Sequence, residues 1–143
     1  MIMRRFLMMW VCVAAIWWTP NTLAETRICT KEESIEAEGL ATAQSWDELH
    51  QQFKRYVHCD DGAIGEGFSE SVSILLAEHW GDIGQLGAIL KSDPAFRKFV
   101  IQHINDTVPI DRLERIVKNV DKRCPRNLKK LCRDIEAAAS QKK

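Results

Sequence analysis

Several common signals are missing from this chain. No stretch alternates apolar and polar residues with a two-residue period, and no β-branched run is bounded by turn residues, which argues against a sheet-based fold. No aromatic residue follows Phe99, so the C-terminal part has no platform on which nucleic-acid bases would stack. No cysteine pair has C-x-x-C spacing and no histidine pair sits in H-E-x-x-H, so the usual sequence signals of a zinc site are absent. The glycines between Gly62 and Gly67 follow a helical segment and not a strand, which excludes a phosphate-cradling loop. There is no internal repeat, no low-complexity tract, and no formal net charge.

What is present begins with the N-terminus. Arg4 and Arg5 precede an uninterrupted apolar run from Phe6 to Trp18, and a short polar segment ends in Thr22-Leu23-Ala24. This is the three-part pattern of a secretory signal peptide over residues 1–24, with cleavage after Ala24. The run is short for a bilayer-spanning helix, which needs about 20 residues. An uncleaved anchor is the alternative, and a membrane association would follow only from it. Export places the chain in the periplasm or outside the cell.

Beyond Cys12 the cysteines are Cys29, Cys59, Cys124 and Cys132, an even set that in an exported chain reads as two disulfides. They allow three pairings, and spacing alone does not choose. Longer closed loops gain more in the chain-entropy model, which favours Cys59–Cys124 with Cys29–Cys132.

The rest reads as helices. Residues 25–44 are acidic and poor in apolar side chains. Thr30-Lys31-Glu32-Glu33 matches a capping box, so a short helix from Lys31 to Glu38, stopped by Gly39, competes with a loose arm. Residues 45–143 form the helical domain. Ser45-Trp46-Asp47-Glu48 is a second capping box, opening a helix from Trp46 to about Val57. Asp60-Asp61-Gly62 starts a central helix that runs to Trp80. Ile64, Phe68, Val72, Leu75, Leu76 and His79 share its apolar side, with Glu66, Glu70, Ser73 and Ala77 opposite. A helix with Gly81, Gly84 and Gly87 at three-residue spacing follows, from about Asp82 to Lys91. Asp93-Pro94 caps a helix ending near Asn105, Pro109 opens one to about Lys122, and Asn127 caps the last. The expectation is an all-α bundle of five or six helices with short connections.

Charge is unevenly spread. Residues 25–111 carry 7 basic and 16 acidic side chains, whereas residues 112–143 carry 11 basic and 4 acidic. Export and the missing aromatics argue against nucleic acid, so the basic end points to another protein or an anionic envelope surface. The expected function is a non-enzymatic binding module of the inhibitor or immunity-protein type. Its surface is expected at Glu66, Glu70, Arg126, Lys129, Lys130 and Arg133. The alternative is a small hydrolase using His58, Asp60, Asp61, Glu66 and Glu70, since paired carboxylates can do acid–base work. Capping explains Asp60 and Asp61 without chemistry. His79 and His103 on separate apolar faces could meet, with His58, around a metal, but a buried neutral histidine is the simpler reading. No metal or cofactor is expected. Asn105-Asp106-Thr107 matches a glycosylation sequon.

Overall fold

The computed structural model describes residues 27–141, and the leader read at residues 1–24 lies outside them. In order the helices are α1 (Lys31–Glu38), α2 (Trp46–Tyr56), α3 (Gly62–Ala77), α4 (Ile83–Ser92), α5 (Pro94–Gln102), α6 (Ile110–Arg123) and α7 (Lys129–Ser140). Single 3₁₀ turns lie at Val57–Cys59, Trp80–Asp82 and Arg126–Leu128, and no strand occurs among the described residues. The all-α bundle is present, with seven helices instead of five or six. The difference lies in α1, the segment for which a short helix competed with a loose arm and which forms the helix.

Local sequence sets most helix starts. Thr30 Oγ1 accepts from the Glu33 backbone N–H, and Glu33 reaches back to the Thr30 N–H at 3.1 Å, which completes the capping box of α1. In α2, Ser45 accepts from Glu48 N–H, but the Glu48 carboxylate takes the Gln44 N–H at 2.8 Å, one residue further out than the motif implies. Asp93 caps α5 with Pro94 in its first turn. Asn127 does not cap the last helix: the 3₁₀ turn intervenes, and α7 has no side-chain cap. Gly62, at φ +50°, turns the chain into α3 in a conformation that side-chain-bearing residues rarely adopt.

α3 is the hub. It packs on α1, α2 and α6, so one apolar face is not enough to describe it. Ile64, Phe68, Val72, Leu75 and Leu76 are buried as expected, but Ser69, Ser71 and Ser73 are buried too. Each serine ties down a different neighbour. Ser71 accepts from Ala43 N–H at 3.2 Å, Ser69 from Asn105 Nδ2 at 2.9 Å, and Ser73 from Arg112 at 3.0 Å. Ser73 is therefore not on a solvent face. The amide of Asn105 is likewise engaged in the fold through Ser69.

The helix also stops earlier than the sequence implies. Asn119 of α6 donates to the carbonyls of Leu76 and Ala77 at 3.0 and 2.9 Å, which satisfies the last turn from outside. His79 thus falls beyond α3, and Trp80 Nε1 donates to the Arg123 carbonyl at 3.1 Å.

Apolar packing joins the helices. Phe53 of α2, Phe68 of α3 and Phe99 of α5 meet with ring centroids 4.8 and 5.0 Å apart, and Phe96 sits 5.1 Å from Phe53. Such pairs each add about 0.5–1.5 kcal/mol beyond their buried area. The proposed glycine stripe reduces to one close approach. A Cβ on Gly87 would lie 2.5 Å from the Leu128 side chain, whereas at Gly81 and Gly84 it would meet open space.

The disulfides correct the expected pairing. Cys29 is bonded to Cys59 and Cys124 to Cys132, with Cα separations of 4.9 and 6.2 Å. Cys59–Cys124 and Cys29–Cys132 are not formed. Proximity decides the pairing, not loop length. α1 packs on the Val57–Cys59 turn, which brings Cys29 to Cys59, and the turn after Pro125 folds α7 back on α6 beside Cys124. Ala37 and Ala43 from the acidic segment join the same core as the later helices.

Candidate functional site

The expected acid–base cluster does not converge. His58 Nε2 lies 3.2 Å from Glu33 Oε2, and Asp60 Oδ1 lies 3.1 Å from His103 Nε2. Asp61 Oδ1 accepts from Gly62 N–H at 2.8 Å as the cap of α3. Glu70 pairs with Arg112 at 2.6 Å, and Glu66 is exposed. His58, Asp60 and Asp61 line one open depression, and Glu66 and Glu70 line another beside Thr107 and Val108. Nearest-neighbour chemistry thus gives each group its own partner or its own surface.

The histidines do not meet either. His103 is buried and uses both ring nitrogens, Nδ1 toward the Phe99 carbonyl at 2.8 Å and Nε2 toward Asp60. The Phe99 carbonyl can only accept, so Nδ1 is the donor there. His79 is half-buried outside the helix. Among the described residues, the grouping of three metal-ligand types is Glu33, His58 and Cys59, which contains neither His79 nor His103. Glu33 lies far along the chain from the adjacent His58 and Cys59, and in the sequence it reads only as a capping residue.

Charge satisfaction differs sharply between regions. The Thr30 backbone N–H, with His58 as the next cause, holds the Glu33 carboxyl at about 2, well below its ordinary 4.5. Asp93 is lowered by His50, 2.8 Å away, against the opposing effect of burial. Glu70 raises Arg112 further above its already high value. Arg97 reaches Asp134, Arg55 reaches Glu36 at 2.6 Å, and Arg115 reaches Asp111 at 2.8 Å.

The basic end is different. Cys124 and Pro125 are extended, as the residue before a proline prefers, and the Arg126–Leu128 turn leads directly into α7. Leu128 is buried against the recess at Gly87, and the Cys124–Cys132 bridge closes the loop. Apolar burial and a covalent bond therefore hold a segment whose other side chains point to water. Lys122, Arg123, Arg126, Lys129, Lys130 and Arg133 are all exposed, and none lies within 4.0 Å of a carboxylate among the described residues. A depression of about 240 Å³ lies between α6 and α7, with Val120, Cys124 and Cys132 among its apolar lining and Lys129 and Arg133 among its polar lining. The acidic half of the expected binding surface lies elsewhere, on α3.

No helix among the described residues is long and apolar enough to cross a membrane. The two bridges are consistent with an oxidising, extracytoplasmic compartment. No family model, curated protein or solved structure matches this chain.

Proposed function

We propose that the chain is an exported binding module that works in the bacterial envelope, docking an acidic protein through its disulfide-closed basic end. The observation that carries this reading is the set of six exposed cations without ion-pair partners among the described residues, on and beside a segment fixed by Cys124–Cys132 and Leu128. A rigid array loses little conformational entropy on binding, which favours a shaped partner. The charge mainly speeds encounter and sets orientation.

An anionic bilayer is the less favoured partner. Among the described residues the exposed large apolar ones are Ile28, Ile35, Leu40, Val57 and Ile110, and none belongs to the Arg126–Leu128 turn or to α7. The basic face thus has no apolar anchor of its own to insert.

The test is capture from envelope extracts with the full mature chain and with the charge-reversal variant R126E/K129E/K130E/R133E. The expected result is one stoichiometric acidic protein held by the wild type, absent from the variant, and associating at least about tenfold more slowly at high salt. Equal capture by both proteins overturns the reading. Salt-sensitive binding to anionic vesicles in place of a protein moves the target to the membrane surface.

A further inference from the structure

The Cys29–Cys59 bridge sits among groups that a divalent cation would bind. A Glu33 carboxylate oxygen, a His58 ring nitrogen and Cys59 Sγ all lie within 4.8 Å of one another, and Cys29 Sγ is bonded to Cys59 Sγ. An independent observation points the same way. The His58 side chain is nine-tenths buried, and its Nε2, although 3.2 Å from Glu33 Oε2, makes no hydrogen bond of acceptable geometry among the described residues. A buried ring nitrogen without a partner is costly unless something else takes it. Carboxylate, imidazole and the Cys59 sulfur converge, and the Cys29 sulfur, released beside Cys59 when the bridge opens, would complete a four-donor set of the type that zinc accepts in tetrahedral geometry.

We propose that the reduced protein binds one zinc-class divalent cation through Cys29, Cys59, His58 and Glu33, so that a metal replaces the covalent link between α1 and the Val57–Cys59 turn. The chemistry balances with a dithiol reductant. The dithiol supplies two electrons and two protons, the Cys29–Cys59 S–S bond breaks, two thiols form, and the reductant closes to its own disulfide. The cation then displaces the two thiol protons to solvent, and neutral His58 and the Glu33 carboxylate complete the shell. The oxidised bridge and the metal are mutually exclusive states of one site. Cys124 and Cys132 serve as internal controls, because they form the other bridge, away from His58 and Glu33.

The test uses the full mature chain, reduced with a dithiol that is then removed under anaerobic conditions, with and without one equivalent of Zn²⁺. The alkylation rate of each cysteine is followed by mass spectrometry. Zinc is expected to slow alkylation of Cys29 and Cys59 at least about tenfold while leaving Cys124 and Cys132 unchanged, and His58→Ala is expected to abolish the protection. Equal rates at all four thiols with and without zinc overturn the proposal. So does protection centred on Cys124 and Cys132, or protection that survives in His58→Ala. A Co²⁺ titration gives a second readout: sulfur-to-metal charge transfer is expected in the wild type and in Cys124→Ser/Cys132→Ser, and its presence in Cys29→Ser/Cys59→Ser also overturns the proposal.

Discussion

Cys29–Cys59 and Cys124–Cys132 close opposite kinds of surface. Around the first, charge is spent internally: Glu33 serves its own helix cap and faces Arg27 and His58, and Asp60 serves His103. Around the second, Arg126, Lys129, Lys130 and Arg133 have no carboxylate within reach among the described residues. The first bridge spans 30 residues and fastens a helix with few buried side chains of its own. The second spans 8 and fixes a segment already seated by Leu128. One end is built for stability, and the other holds unspent charge in a defined place.

The largest expected effect separates the two bridges. Replacing Cys29 and Cys59 by serine should cost about 3.5 kcal/mol in urea unfolding, and replacing Cys124 and Cys132 about 2.5 kcal/mol, from the loop lengths alone. A reversed order would show that the short bridge does more than close a loop. Next comes Asn119→Ala, which removes both donors from the end of α3 and should cost about 1–2 kcal/mol by the same measurement. Arg112→Met should cost about 1 kcal/mol, because Arg112 is mostly buried and bonds both Glu70 and Ser73, whereas Glu70 remains open to water.

Acid should loosen the two ends unequally. The Glu33 carboxyl is depressed in the fold, so its contribution is complete above its ordinary 4.5 and is lost as pH falls through about 2. Amide exchange in α1 should accelerate across that window, and Glu33→Gln should remove this pH dependence. The smallest effect is expected at the basic end. Lys129→Ala and Lys130→Ala should each change unfolding free energy by less than about 0.5 kcal/mol, since no ion pair is lost. A loss of 1 kcal/mol or more would mean that these cations are spent on the fold after all.

The same division explains what the sequence discloses. Capping residues act within a single turn, so Thr30, Ser45 and Asp93 announce their helices directly. The periodic apolar residues of α3 and α6 likewise announce their buried faces. What stayed hidden depends on partners far along the chain. Ser73 reads as a solvent residue until Arg112 is placed against it, and the pattern of α3 runs to Trp80 until Asn119 meets its last carbonyls. The cysteine pairing is hidden for the same reason: closure entropy favours long loops, but the packing of α1 on the Val57–Cys59 turn decides which sulfurs touch. The cations were visible as composition, but their lack of partners was not.

The contrast between the two ends stands most directly on the bridges themselves. Non-reducing peptide mapping of the native protein should recover one fragment linking Cys29 to Cys59 and another linking Cys124 to Cys132. A fragment joining Cys59 to Cys124, or Cys29 to Cys132, would tie the acidic and basic regions together and contradict the account.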